Sequence, residues 1–124
     1  MAVTHPTATR DAIANAVAAI ANTGATPFLA IHTAADVLLA NIPLGVDFGA
    51  SSGGTITATG ASGANVVAVA TGTASYGRIN AAGGTEAFRG ACGVGSGEVQ
   101  ISSLSISSGD TVTLTNNPTY TAPT

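Results

Sequence analysis

Apolar residues recur at two different periods along this chain, and the change falls at Gly24. Before it, Ile13, Ala16, Val17 and Ile20 return at the spacing of one helical face. The pattern predicts a helix over about residues 6–23, with Pro6 in the first turn, where its missing N–H costs nothing, and Gly24 as the stop. The Ile13, Val17 and Ile20 stripe is expected to dock on the rest of the molecule. The opposite face carries Ala14, Ala18 and Ala21, with Asn15 and Asn22 one heptad apart. An alanine face has two readings: helix propensity at exposed positions, or a close approach by a second helix or a neighbouring subunit.

After Gly24 the period becomes two. Phe28–Thr33 and Val37–Ile42 are short apolar runs flanking Ala34-Ala35-Asp36, which predicts a β-hairpin. Thr55–Thr59 is strand-like between Gly/Ser-rich loops. Asn65–Thr71 and Thr73–Ile79 read as one long strand, or as two joined at Gly72. Gly83-Gly84 turns into Glu86–Gly90. Val99 and Ile101 alternate with polar neighbours, and Leu104 and Ile106 repeat the pattern after a break at Ser102-Ser103. Ser108-Gly109-Asp110 precedes Thr111–Thr115, and Thr119–Thr121 adds a last edge piece beside Pro118 and Pro123. Many short alternating strands with glycine-rich turns predict a mainly β fold, an antiparallel sandwich or barrel. The N-terminal helix would cover one sheet face or an open end. The expected organisation is one domain over residues 1–124, with the β body from about residue 26.

Charge changes the picture. Only 7% of the 124 residues are charged, against roughly a quarter in ordinary soluble domains. There is no lysine, and the cations are Arg10, Arg78 and Arg89. Thr, Ser, Asn, Gly and Ala must cover the surface, and such a surface loses little ion hydration when another protein covers it. A net charge of -3 argues against a nucleic-acid partner, which needs clustered cations. No run approaches the roughly 18 apolar residues that suggest a membrane span. Ala12–Ala21 lacks a basic lead-in and is interrupted by Asn15, so no secretory signal is expected. One cysteine, Cys92, excludes an internal disulfide framework and, alone, a cysteine metal site. It leaves the redox compartment open, with the reducing cytoplasm the simpler setting.

Candidate chemistry loses its partners on inspection. Gly49-Ala50-Ser51-Ser52-Gly53 spells the hydrolase nucleophile elbow, but no helix pattern follows it, and His5 and His32 both precede Ser51. Gly93-Val94-Gly95-Ser96-Gly97 leads into a strand without a following Lys, so it reads as a hairpin loop and not a phosphate loop. His32 reads as a partly buried or subunit-facing polar residue, and His5 as a surface or interface one. The six acids are dispersed, several beside turns. Cys92 has no neighbouring His or cationic cluster to activate it. Neither a catalytic residue, a cofactor nor a metal site is expected. The three Phe suit the core, and Tyr76 and Tyr120, with Ala14, Ala18 and Ala21, are the interface candidates.

The order of several short motifs resembles a known family. Thr4-His5-Pro6-Thr7-Ala8 enters the alanine-rich helix and Leu38-Leu39-Ala40-Asn41-Ile42-Pro43-Leu44 ends the hairpin. Phe48–Gly54, Ala70-Thr71-Gly72-Thr73-Ala74, Gly109-Asp110-Thr111-Val112 and Tyr120-Thr121-Ala122-Pro123 follow. Together they resemble small proteins encoded in tailed-bacteriophage structural gene clusters. The resemblance spans essentially the whole chain, and it rests on order and spacing, each motif being built of common small residues. It implies a virion component assembled in the host cytoplasm, a capsid decoration, cement or minor capsid protein. Its implied partners are the major capsid protein or other virion proteins, as a homo-oligomer (trimer or dimer), with no direct contact to nucleic acid or membrane. A tail-, neck- or fibre-associated structural protein and a host-surface glycan-binding module are the alternatives. The scarcity of aromatic residues weighs against the last.

Overall fold

The computed structural model describes residues 3–123. The fold is mainly β with one N-terminal helix, α1 (Thr7–Ala21). The strands are β1 (Phe28–His32), β2 (Leu38–Pro43), β3 (Thr55–Thr57), β4 (Asn65–Val67), β5 (Gly72–Thr73) and β6 (Tyr76–Asn80). They continue as β7 (Glu86–Gly93), β8 (Val99–Gln100), β9 (Ser105–Ile106), β10 (Thr111–Thr113) and β11 (Thr119–Thr121).

The largest sheet has the order β2-β1-β6-β7-β8. The predicted hairpin is its β1–β2 pair, turned by Asp36 at φ 67°, a left-handed conformation that Asp tolerates better than most residues. Backbone hydrogen bonds carry the sheet onward. Ser102 and Thr115 amides donate to the Thr113 and Gln100 carbonyls, linking β8 to β10, which pairs with β4. The Val69 amide then donates to the Leu39 carbonyl of β2 at 2.8 Å. The strands thus run round an irregular barrel. Closure satisfies main-chain groups that an open sheet would leave at its edges.

The Val69 bond also explains why the expected strand from Asn65 is short. Ala68 still donates to the Asp110 carbonyl, but Val69 has changed partner from the β10 side to β2. The chain crosses a corner of the barrel there, and β4 ends at Val67. Leu29, Ile31, Leu39, Ile42, Ile56, Ile79, Ile101 and Leu114 fill the interior with no solvent exposure. Each such side chain contributes about 1.5–3 kcal/mol relative to an exposed position.

The helix docks on its alanine face, about 100° round from the centre of the expected stripe. Ala14, Ala18 and Ala21 are its buried residues, while Ile13 and Val17 lie at the border and Ile20 is 43% exposed. The alanine face therefore serves a close approach, but to the protein's own β3 and β7 and not to a neighbour. Small side chains let the axis come near the strands, and Ile13 and Val17 wedge in from one flank. Ala14, Ala18 and Ala21 are thereby withdrawn as interface residues.

The Gly93–Gly97 segment also departs from the expected hairpin loop. It makes no hairpin: Cys92 and Gly93 pair with Val99 and Gln100 in parallel. Parallel neighbours normally need a crossover of a dozen or more residues. Here the chain closes one tight coil instead, because glycines remove the obstructing atoms. A Cβ on Gly90 would stand 2.6 Å from Glu98 Cβ, and one on Gly97 2.9 Å from the Ala91 carbonyl oxygen. A Cβ on Gly93 would collide with the Ser96 carbonyl oxygen.

Candidate interaction surface

The Gly49–Gly53 segment is held by the helix. Ser51 donates its hydroxyl to Asp11 Oδ1 at 2.6 Å, Gly54 N–H donates to the same oxygen at 2.8 Å, and Ser51 N–H donates to Asn15 Oδ1 at 2.8 Å. Asn22 closes the other end, accepting from Phe48 N–H and donating to the Phe48 carbonyl. The serine is thus one contact in a latch between α1 and the following loop. The Ser51 hydroxyl, then the Gly54 amide and the Arg10 charge, lower the Asp11 pKa.

A second polar group lies on one face of the sheet, opposite the core. His32 pairs with Tyr76, and Arg78 with Arg89, directly across strands. The His32 and Tyr76 rings stack at 5.3 Å, nearly parallel at 7°. The Arg78 and Arg89 guanidinium carbons lie 5.6 and 5.1 Å from the Tyr76 ring centroid. Two like charges opposite one another would repel. Glu86 relieves this, accepting from Arg89 Nε and Nη2 at 2.9 and 2.8 Å and pairing with Arg78 Nε at 3.5 Å. Tyr76 donates to Asp36, which also pairs with Arg78 at 3.8 Å. Hydrogen bonding from Tyr76 lowers the Asp36 pKa and hydrogen bonding from Arg89 lowers that of Glu86.

All three carboxyls ionise more readily folded than unfolded, so their contribution is fully present above their unfolded pKa values. It is lost progressively as pH falls from those values through the lower folded ones. Stability is therefore expected to fall across the acid range below about pH 4. Asp11→Asn should flatten part of that decline in urea titrations run at successive pH values; an unchanged profile would show that the latch is not ionic.

Tyr76, an expected interface residue, is half-buried and fixed by these contacts. Tyr120, the other, packs against Phe88 at 5.3 Å with the rings tilted by 52°, and Phe88 meets Phe48 edge-on at 5.7 Å. Three of the five aromatic rings thus form one row. It ends at a cleft of about 320 Å³ lined by Phe88, Arg89, Glu98, Thr119, Tyr120 and Thr121. Sequence reading missed both the row and the His32–Tyr76–arginine group, because their members are far apart in the chain. The one local signal was the same-face spacing of Tyr76 and Arg78 within a single strand.

Cys92 is largely covered, and burial pushes its thiol pKa to about 11, so little thiolate exists at neutral pH. Among the described residues no three His, Cys, Asp or Glu side chains gather as a metal would require. No described helix is long and apolar enough to cross a membrane. Val37, Leu38, Val67 and Val69 are 48, 39, 56 and 66% exposed along the β2–β4 seam. Comparison with protein-family models, curated proteins and solved structures finds no match for this chain.

Proposed function

We propose that this chain is a structural, non-catalytic component of a tailed-bacteriophage particle, decorating and stabilising the capsid by bridging major capsid subunits. The observation that carries this reading is how little free charge the surface offers. Of three cations and six acids, Arg10 is bonded to the Ala122 carbonyl, Asp11 to Ser51 and Gly54, Glu98 to Ala91 and Asp110 to Ser107. Asp36, Arg78, Glu86 and Arg89 neutralise one another. Only Asp47 has no polar contact among the described residues.

A freely diffusing monomer keeps unpaired surface charge of both signs for solubility. A surface of hydroxyls, small side chains and internally satisfied charges instead gives up little hydration when covered. The exposed valines and leucine of the β2–β4 seam add apolar area to such contacts. The whole-chain resemblance supplies the setting, and multivalency the energetics: a protein touching several shell subunits raises the effective concentration of each further contact.

Quantitative mass spectrometry of purified particles tests this. A copy number comparable to that of the major shell subunit is expected. Few copies would move the chain to the tail or neck, and none would overturn the reading.

A further inference from the structure

The chain holds an unfilled strand position and, separately, an unpaired strand-like arm. Between Glu86 and Ala91, β7 is paired only with β6, since β8 reaches its other side only at Cys92 and Gly93. Cys92 N–H donates to the Ser75 carbonyl at 3.1 Å. By antiparallel alternation Gly90 and Phe88 then bond toward β6, and the main-chain groups of Arg89 and Ala91 point away. On that free side the Ala91 amide has only the Glu98 carboxylate, at 3.2 Å.

The last strand is similar. Ala58 N–H donates to the Pro118 carbonyl and Ala122 N–H to the Gly54 carbonyl. Pro118, Tyr120 and Ala122 therefore face β3, and the main-chain groups of Thr119 and Thr121 face outward. Those of Arg89, Thr119 and Thr121 have no partner among the described residues. These two free edges bound the cleft of about 320 Å³ that ends the aromatic row.

Unpaired edges invite a strand, and natural proteins cover or disrupt them. Val3-Thr4-His5 is a segment of suitable composition. It has neither a strand partner nor a hydrogen bond among the described residues, and Val3 is 82% exposed. The arm leaves the body close to the cleft, because Arg10 in the first turns of α1 donates to the carbonyl of Ala122, next to the end of β11. With two copies set cleft to cleft about a two-fold axis, each arm begins beside the other's vacancy.

We propose that two copies of this chain exchange N-terminal arms, Val3–His5 of each adding as a strand between β7 and β11 of the other. The exchange is isologous and closed, so it makes a dimer and not a filament. It is independent of the virion reading, which concerns what the protein attaches to.

Light scattering on the full chain during size exclusion is the test, with twice the chain mass expected. Val3→Asp should give the single-chain mass with an unchanged circular dichroism spectrum, because Val3 packs on almost nothing within its own copy. Thr121→Pro removes one outward N–H from each copy, two per dimer, while sparing the main-chain bonds to β3, and should weaken the dimer about a hundredfold, about tenfold for each hydrogen bond; Thr121→Val, which loses the same side-chain contact to Thr55, should not. Amide exchange at Arg89, Thr119 and Thr121 should be slow in the dimer and fast in Val3→Asp. A single-chain mass at every concentration, or a dimer that survives Val3→Asp, would overturn the proposal. Neither result would touch the particle copy number on which the virion reading depends.

Discussion

Ala14→Leu is expected to destabilise the protein by about 1–3 kcal/mol, the range for forcing extra methylenes into a packed core. On an exposed alanine face the same substitution would be harmless, since leucine is nearly as good a helix former. Here Ala14 is fully buried beneath α1. Added atoms must push the helix from the barrel, straining the Asp11 and Asn15 contacts to the Ser51 loop. Ile20→Thr is the matched control. Ile20 belongs to the face that sequence favours, yet it is 43% exposed, and its replacement should cost well under about 1 kcal/mol. Urea melts of the two variants decide the helix orientation, and the reverse ranking would put the isoleucine stripe inside.

Gly93→Ala is expected to cost a similar amount, about 1–3 kcal/mol, through a different mechanism. The added methyl meets the Ser96 carbonyl oxygen, a backbone atom that cannot rotate aside. The coil between β7 and β8 must open, and with it the parallel bridge and the Ile101 amide bond to the Gly93 carbonyl at 3.0 Å. Gly83→Ala makes the contrast. A Cβ there meets nothing and Gly83 lacks a positive φ, so the change should be neutral or stabilising by about 0.4–1 kcal/mol through the unfolded chain. Equal midpoints for both variants would show that the coil is not closely packed.

These two positions mark where the sequence stops being readable. The switch of period at Gly24 located α1 and the hairpin, because both follow from local alternation and local turn chemistry. Orientation did not follow. Ile13, Val17 and Ile20 form the more hydrophobic stripe, but the stripe of alanines, one residue round the helix, permits a closer approach to the strands. Closeness decided the outcome, and closeness depends on the partner surface, which no helix pattern contains. The coil after Gly93 was hidden for a related reason. Glycine spacing announces a bend, while the parallel return of Val99 depends on the absent side chains of Gly90, Gly93 and Gly97 all lying toward the loop.

The surface groups are a third case. His32, Asp36, Tyr76, Arg78, Glu86 and Arg89 come from four separate stretches, and only strand register joins them. Scattered charges in a sequence look like ordinary solvated positions. Once paired across strands they become a neutral, fixed patch, with Tyr76 held between His32 and two guanidinium groups. The same pairing leaves the surface poor in free charge and so suited to burial against other subunits.

The central claim is that this protein stabilises a capsid from the outside by spanning its subunits. A particle density map tests it most directly. The account predicts density for this mainly β fold on the outer shell across the junctions between major capsid subunits. Contacts should run through its uncharged faces, including the β2–β4 seam of Val37, Leu38, Val67 and Val69. A shell with no such density at any junction, or this chain found only within the tail, would contradict it.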